Sequence, residues 1–433
     1  MNLKFATTLF LSIFISNLSA QNCTQINSAN MWEINDIINT LSASGGGCIE
    51  ITPGDYYLNQ LIVGNGNGSN QFIIPKDNVV IKNYGKLYSK WIIFYLNGVK
   101  NISIIGDKIG YLAEDTNFPT NLGNKGILII DSDNINITGL NINSFKNKGI
   151  EVVNSTNVTI RDNKITGSDS SSGAGIAITD ALFGGTNYKG GSSLSNISSN
   201  FISNSRIGIT LNRSFEVVVN SNIVVDNIIA GIALDGSVDG SNDIGTGSQN
   251  CVISNNIVKN NANSDRKGCF TDPNTNEPSN DFRQDYAGIY IGNGAQKNII
   301  TNNFVRNNYY GISYFEEENF TSTQTSYNNI ISNNQVILNK WVGIKLTRTN
   351  NAIVTENQIV NNKLAGIQIH DTNILNYTIR NNNVILNGKY GFLCTGCDNA
   401  NKATLNYFNV LTGHTTKDIE LLSEEYQNSV LCD

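Results

Sequence analysis

The sequence predicts an all-β solenoid, a parallel β-helix, and three observations lead to this prediction. A Gly-Ile motif recurs along the chain, its uninterrupted copies are about 23 residues apart, and short β-branched runs fill the intervals. The copies begin at Gly149, Gly175, Gly208, Gly231, Gly288, Gly311, Gly343 and Gly366, with a degenerate copy at Gly391. A period of roughly 20–30 residues built from short strands is typical of solenoids, in which stacked units share one continuous core.

The composition of each unit distinguishes the β-helix from other solenoids. No unit contains an amphipathic segment of roughly 10–15 residues, so helical repeats are excluded. Three short apolar runs are separated by Asn, Gly, Ser and Asp, which accept left-handed backbone and form turns. Paired asparagines are predicted to fall in the same turn of successive coils and to stack there as a ladder of side-chain amides. These pairs are Asn328-Asn329, Asn333-Asn334 and Asn382-Asn383.

A second motif lies near the N-terminus, where Gly45 to Asn59 reads GGGCIEITPGDYYLN. Together with the Gly-Ile repeat, this segment resembles the pectate/pectin-lyase-like superfamily of right-handed parallel β-helices. The resemblance covers roughly residues 30–410 and implies a single right-handed coil. It implies a fold rather than a reaction, because many chemistries share this scaffold.

A short amphipathic helix is predicted over Met31 to Leu41, just before this motif. Its apolar face is made of Trp32, Ile34, Ile37, Ile38 and Leu41. Such a helix closes the open end of the barrel and shields its first strand edge.

The first twenty residues have the features of a cleaved signal peptide. Lys4 precedes an apolar run from Phe5 to Ile15, and small residues lead to Ala20. The run is too short for a membrane span, and no later segment qualifies. We therefore expect a secreted, extracellular protein. The predicted divisions are a signal peptide over 1–20, an N-terminal cap over 21–44, the β-helix over 45–410 and a C-terminal cap or tail over 411–433.

The charge of the chain bears on its partners. The formal net charge is −6, and no basic cluster occurs in the linear sequence, which argues against nucleic acid as a partner. Long-range attraction to polyanions is not expected either. We expect an extracellular polysaccharide as the partner, with any uronate recognised by local cations.

Seven cysteines occur in a chain that we expect to be exported, where disulfides are the default. Cys23 and Cys48 flank the N-terminal helix and are candidates to staple the cap. The other candidate disulfide cysteines are Cys251, Cys269, Cys394 and Cys397, with Cys432 left over. Cys251 and Cys269 flank a long insertion, although spacing alone leaves the connectivity open.

The repeat register predicts where functional groups gather. Positions 2 and 4 of each Gly-Ile strand are apolar and face inward, so positions 3 and 5 face outward. Because stacked coils are ~4.8 Å apart, the later coils bring their outward side chains onto one face. These are Arg213, Asp235, Tyr290, Phe315, Glu316, Lys345, Arg348, His370 and Asp371. The early coils offer mostly small or neutral groups at these positions.

Insertions flank the same strand row. Three follow it, at Ala181–Ser195, Gly236–Gln249 and Glu317–Tyr327, and Asn261–Tyr286 precedes it. Long loops in a compact fold are usually functional or disordered, so we expect a groove between these walls. The resemblance implies that substrate lies along the same row.

Three chemistries fit this face. A polysaccharide lyase or epimerase needs a base for the proton α to a uronate carboxylate and a cation for the resulting enolate. Lys345, Arg348 and His370 are the candidates for these roles. Substrate-binding roles are expected for Tyr290, Phe315, Arg213 and Asp371.

A glycoside hydrolase needs two carboxylates, and Asp235 and Glu316 are two coils apart, roughly 9–10 Å between their backbones. That separation is near the upper end of the inverting range. The third reading is a non-catalytic glycan-binding or structural surface protein, in which four aromatic residues stack against sugars: Tyr290, Phe315, Tyr310 and Trp341. Asp235, Asp239 and Asp243 are also a weak candidate site for Ca²⁺.

Overall fold

The computed structural model describes most of the chain between residues 22 and 422. The described ranges are 22–58, 72–89, 91–108, 110–114, 125–167, 173–179, 192–235, 247–262, 270–271, 278–279, 286–292, 294–315, 327–347, 349, 351–370, 378–395 and 410–422. The predicted signal peptide lies outside them. No helix in these ranges has both the length and the apolar character needed to span a bilayer.

The chain forms a parallel β-helix whose strands fall into three sheets, as the repeat predicts. The first sheet contains Thr24–Ile26, Gly47–Ile51, Val79–Asn83, Lys100–Ile105, Asp133–Thr138, Thr156–Arg161, Asn196–Ser198, Val218–Asn220, Val252–Ser254, Ile299–Thr301, Ile330–Ser332, Ile353–Thr355 and Thr378–Arg380. The second contains Asp55–Tyr57, Lys86–Ser89, Tyr111–Glu114, Asn141–Phe145, Lys164–Gly167, Phe201–Ser203, Ile223–Val225, Ile257–Lys259, Phe304–Arg306, Gln335–Ile337, Gln358–Val360, Asn383–Ile385 and Val410–Thr412. The third contains Ile92–Asn97, Lys125–Ile130, Lys148–Val153, Ala174–Thr179, Ile207–Asn212, Ala230–Asp235, Ala287–Gly292, Tyr310–Phe315, Val342–Thr347, Ala365–His370, Tyr390–Thr395 and Lys417–Leu422.

Each coil pairs with the next coil at equivalent positions. Ile344, for example, lies opposite Ile312 on one side and Ile367 on the other, and all three side chains are buried. The last coil continues through Lys417–Leu422, so the coils extend beyond the predicted boundary at residue 410. A separate two-stranded antiparallel pair, Phe270–Thr271 with Pro278–Ser279, lies in the longest insertion.

The N-terminal helix consists of a 3₁₀ turn, Met31–Glu33, followed by an α-helix, Ile34–Ala43. Ile34 and Ile38 are buried against the core as predicted, together with Met31. Trp32, however, is 54% exposed, and its indole N–H donates to the carbonyl of Ala29. The tighter winding of a 3₁₀ turn places Met31 on the core side, where the α-helical pattern predicts Trp32.

A disulfide links Cys23 to Cys48, with 4.6 Å between their Cα atoms. It ties the first strand of the first sheet to the second, beside the helix. The expected staple of the cap is present.

Buried asparagines form the most regular interaction of the fold. One ladder follows the turn between the first and second sheets, with successive amides 2.9–3.0 Å apart. Its members are Asn163, Asn200, Asn222, Asn256, Asn303, Asn334, Asn357 and Asn382. Each amide accepts from one coil and donates to the other, so the stack fixes the register of the coils.

A second ladder follows the turn between the second and third sheets. Its members are Asn227, Asn261, Asn308, Asn339, Asn362 and Asn387. It ends at His414, whose Nδ1 accepts a hydrogen bond from the backbone N–H of Asn387 at 3.2 Å. A shorter stack, Asn298 on Asn329, lies in the turn between the third and first sheets.

The predicted ladder is therefore present, but its assignment to one turn is wrong. Asn334 and Asn382 belong to the first ladder, whereas Asn329 stacks in a different turn of the coil. Outer asparagines such as Asn328 and Asn333 instead adopt left-handed backbone, with φ of 56° and 57°. In these two pairs the first asparagine bends the chain, and the second hydrogen-bonds to the neighbouring coils.

The repeated glycine is required by close approach rather than by its backbone angle. A Cβ on Gly343 would lie 2.6 Å from the carbonyl oxygen of Gly366 and 2.8 Å from the ladder amide of Asn362. Only glycine lets neighbouring coils come this close, which explains why the motif begins with Gly.

We expect Asn334→Leu to lower the free energy of unfolding by about 3 kcal/mol, because it leaves several buried polar partners unsatisfied. The lost partners include the amides of Asn303 and Asn357 and the carbonyl of Ile300. Chemical denaturation measures the change, and exposed Gln335→Ala in the same coil is the control, expected within about 0.5 kcal/mol. Equal effects of the two substitutions would contradict a stabilising role for the ladder.

Candidate functional site

The outer face of the third sheet has the register that the sequence predicts. Position 3 of successive strands forms one row along the axis of the helix. The row runs through Glu151, Ala177, Thr210, Ala233, Tyr290, Ser313, Lys345 and Gln368. The row therefore brings together groups that are far apart in the sequence.

Most of this row is covered by other side chains, although it faces outward from the barrel. Tyr290 and Lys345 are each only 5% exposed. Tyr290 belongs to a second apolar cluster outside the barrel, and Lys345 contacts another member of that cluster, Tyr310. Its buried members are Ile229, Ala230, Ala233, Ala287, Tyr290, Tyr310, Val342, Leu364, Ala365 and Leu393. Several of these residues stand just before the repeated glycine, and their apolar character is the sequence signal for the cluster.

Lys345 is the most unusual residue of the face. Its Nζ donates to the hydroxyl of Tyr310 at 3.4 Å and lies 4.7 Å from the centroid of the same ring. Among the described residues, no carboxylate lies within 4.0 Å of this amine. Burial disfavours the charged form and lowers the pKa of Lys345 to about 7.

Tyr310 is the hydrogen-bond partner of the Lys345 amine. The side chain is 2% exposed, and burial, followed by the nearby Tyr309, raises the pKa of its hydroxyl well above the usual value. The phenol therefore stays protonated at neutral pH. The Lys345 amine, uncharged in a large fraction of molecules at neutral pH, is in direct contact with the protonated Tyr310 hydroxyl, and the two form a pair suited to moving a proton.

Further aromatic rings pack around this pair. The ring of Tyr309 meets that of Tyr310 edge-on at 4.9 Å, and it lies parallel to the indole of Trp341 at 6.4 Å. Tyr309 and Trp341 are half-buried. The sequence indicates Tyr310 and Trp341 only as rings for stacking sugars. It does not indicate the contact between Tyr310 and Lys345, because Tyr310 precedes the glycine and falls outside the alternation of positions 3 and 5.

The other predicted site residues differ in burial, and several of them lie outside the described residues. Arg213 is buried, and Asp235 and Phe315 are half-buried at the ends of their strands. His370 ends the strand Ala365–His370, with its backbone opposite Thr347. Arg348, Glu316, Asp371, Asp239 and Asp243 lie outside the described residues.

The described residues of this face provide neither the predicted pair of catalytic carboxylates nor a group of metal ligands. Asp235 is half-buried, while its predicted partner Glu316 is outside the described residues. Within those residues, no group of three or more His, Cys, Asp or Glu side chains is arranged to hold a metal ion. Two of the three predicted Ca²⁺ ligands, Asp239 and Asp243, are also outside them.

The early coils carry more charge than the sequence pattern indicates. Buried Glu151 pairs with both Lys125 and Lys148, which come from adjacent coils. Desolvation raises the pKa of Glu151, but the two lysines outweigh it and hold the pKa below its usual value. This cluster has a complete set of charge partners, in contrast to Lys345.

Cys251 does not form the predicted disulfide. It is a buried free thiol whose Sγ donates to the carbonyl of Ser214. Its backbone N–H donates to the side chain of Asn298 at 2.9 Å, so it occupies an Asn position at the end of the short stack. Burial raises the pKa of the thiol to about 12, which makes it inert. Cys394 is disulfide-bonded, while Cys269, Cys397 and Cys432 lie outside the described residues.

Solved structures with the same fold include three of different description. One is the A-module of the mannuronan C-5 epimerase AlgE6 of Azotobacter vinelandii, with 13% identity, a TM-score of 0.53, and coverage of 94% of this chain and 98% of that chain. Another is PfbA, a surface adhesin of Streptococcus pneumoniae, with 15% identity, a TM-score of 0.55 and coverage of 85% and 90%. A third is a tailspike protein of E. coli bacteriophage HK620 in complex with a pentasaccharide, with 12% identity, a TM-score of 0.55 and coverage of 92% and 80%.

At these identities the similarity is one of fold, and it agrees with the expected right-handed coil. No curated protein sequence matches this chain significantly. A family model described as the right-handed β-helix region matches residues 94–280 and 244–408, which together cover well over half of the chain. The chain therefore belongs to the right-handed β-helix family.

Proposed function

We propose that this protein is an exported polysaccharide-binding protein that acts on uronate-containing chains by proton abstraction, as a lyase or an epimerase. The observation that carries the proposal is the contact between the buried amine of Lys345 and the hydroxyl of Tyr310. An amine with a pKa of about 7 is unprotonated in a large fraction of molecules at neutral pH, as a general base requires.

The elimination would proceed in one balanced sequence. Lys345 Nζ takes the proton from the carbon α to the uronate carboxylate, and the electron pair forms a carbon–carbon double bond as the glycosidic C–O bond breaks. The leaving oxygen takes the proton of the Tyr310 hydroxyl. Lys345 then returns its proton to the Tyr310 phenolate through their direct hydrogen bond. In an epimerisation, the Tyr310 hydroxyl would give its proton to the opposite face of the α carbon and no C–O bond would break. Lys345 would then return its proton to the Tyr310 phenolate, as in the elimination.

Two further observations support an exported, polysaccharide-acting protein. The disulfide between Cys23 and Cys48 fits an oxidising compartment. Among proteins that share the fold, one is described as an epimerase of mannuronan and another was solved with a pentasaccharide. Hydrolysis by two carboxylates is less well supported, since of the two carboxylates predicted for it only Asp235 lies among the described residues.

A second candidate function is glycan binding without catalysis. The burial of most of the position 3 row, including Tyr290 and Lys345, favours it, because a covered amine does not meet substrate unless the face opens. The two functions differ in whether Lys345 reacts, and the following experiments separate them.

We expect Lys345→Met and Tyr310→Phe each to lower turnover of a uronate polysaccharide at least about 100-fold, the usual contribution of a general acid or base. The ultraviolet absorbance of unsaturated uronate measures elimination, and isotope uptake from heavy water measures epimerisation. Exposed Lys297→Met, on the first-sheet side, is the control. Full activity in both site variants would exclude the proposed pair, and binding without any product would favour the non-catalytic function.

The buried amine also predicts a pH dependence of stability. Lysine in the unfolded chain has a pKa near ~10.4, whereas burial lowers the folded value to about 7. Between these values the unfolded state binds more protons, so this residue makes the protein more stable as pH rises from about 7 to about 10. We expect the stability of wild type relative to Lys345→Met to increase between pH 7 and pH 9 in denaturant titrations. A constant difference would show that Lys345 is solvated.

A further inference from the structure

Coil stacking gathers five cations into a ridge that is invisible in the linear sequence. They lie at the end of the second sheet and in its turn to the third sheet, one on each of five consecutive coils. We call Lys259, Arg306, Lys340, Lys363 and Lys389 the basic ridge. At ~4.8 Å per coil, the ridge spans about 19 Å along the axis.

The described segments that carry the ridge contain no acids of their own, while Asp226 stands next to Lys259 on the preceding coil. The segments that carry it read IVKNNA from residue 257, FVRNNYY from 304, QVILNKWV from 335, QIVNNKLA from 358 and NVILNGKY from 383, and none contains Asp or Glu. Lys259, Arg306, Lys363 and Lys389 are exposed. No carboxylate of the described residues lies within 4.0 Å of these four side chains.

This concentration of charge occurs in a chain with a net charge of −6. A group of like charges costs free energy through self-repulsion, and that cost is relieved when a linear polyanion binds. The ladder residues Asn261, Asn308, Asn339, Asn362 and Asn387 lie within two or three positions of the cations in the sequence. Lys259 and Arg306 precede their ladder residues, whereas the other three cations follow theirs, so the cations lie on both sides of a ladder that fixes the spacing of the coils.

The ridge borders the candidate site. Lys340 immediately precedes Trp341, whose half-buried indole stacks with Tyr309 on the preceding coil, and the strand that follows carries Lys345. Aromatic rings beside cations provide apolar surface for sugar rings next to charge for their anionic groups. The aromatic pair thus distinguishes the ridge from a merely solvated charged face.

We infer that the basic ridge binds an anionic polysaccharide lying along the helix axis and delivers it to the adjacent third sheet. The inference rests on the proposed function for the class of polymer, while the ridge is a binding surface separate from the Lys345–Tyr310 pair. Polysaccharide is favoured over nucleic acid because the formed disulfide between Cys23 and Cys48 indicates an oxidising, extracytoplasmic setting.

The test uses the full chain with Arg306, Lys363 and Lys389 replaced by Gln. Polygalacturonate is the carboxylated probe, heparin the sulfated one and dextran the neutral one, each measured by calorimetry at low salt. We expect the ridge variant to bind polygalacturonate about tenfold more weakly than wild type, and its affinity to depend less on salt. Neither protein is expected to bind dextran.

The matched control replaces Lys164, Lys297 and Arg380, which are exposed outside the ridge, and is expected to bind like wild type. Equal weakening in ridge and control variants would overturn the inference, as would tight binding of dextran. Heparin binding with the same sensitivity to the ridge variant would extend the ligand to sulfated chains. A single-stranded oligonucleotide that binds as tightly as polygalacturonate, with the same sensitivity, would overturn the polysaccharide assignment.

The outcomes also separate this inference from the proposed function. Loss of binding in the ridge variant, with full turnover in Lys345→Met, would leave the ridge standing and reject the proton-transfer pair. Loss of turnover in Lys345→Met, with unchanged binding in the ridge variant, would do the reverse. Thermal unfolding of every variant controls for folding.

Discussion

The hydrogen bonding of buried asparagine amides from coil to coil is the interaction on which the rest of this structure depends. Each ladder amide, such as that of Asn334, bonds to the coils on both sides and also donates to a backbone carbonyl. Turns in a solenoid leave backbone groups buried without strand partners, and such groups must be satisfied. The amides satisfy them and set one register for every coil.

A fixed register has consequences at the surface. Because equivalent positions superimpose along the axis, any residue type that recurs in the repeat becomes a continuous row. The apolar residue before each glycine becomes the outer cluster around Tyr310. The cations that follow the second sheet become the basic ridge. Residues that are far apart in the sequence therefore lie close together along the axis and can form one site.

Lys345 and the basic ridge behave differently because Lys345 is buried and the ridge lysines are solvated. Lys345 lies within apolar surroundings, where desolvation favours the neutral amine and gives it the character of a base. The exposed ridge lysines Lys363 and Lys389 are surrounded by solvent, where charge is inexpensive and attraction to an anionic chain acts at a distance. One protein can thus use lysine for proton transfer and for binding on adjacent parts of one surface.

The sequence by itself determined the class of fold, the three strands per coil and the N-terminal helix, and it indicated Cys23 and Cys48 as candidates for a disulfide. These follow from local patterns, namely the period, the alternation of apolar residues and the turn composition, which act within one or two coils. It also identified Lys345 as a candidate base. It could not reveal that Trp32 faces solvent or that Cys251 remains a free thiol, since both depend on what each side chain meets when the chain packs.

Only the tertiary structure decided the environment of the site. Burial of Lys345, its contact with Tyr310 and the resulting pKa depend on side chains from different coils, and no window of sequence contains them. The ridge is a similar case, because its neighbouring cations are separated by 23 to 47 residues in the sequence. The net charge of −6 also gives no sign of a local positive surface. Desolvation and summed electrostatic potential are properties of three-dimensional surroundings, whereas the register that creates those surroundings is written in the repeat.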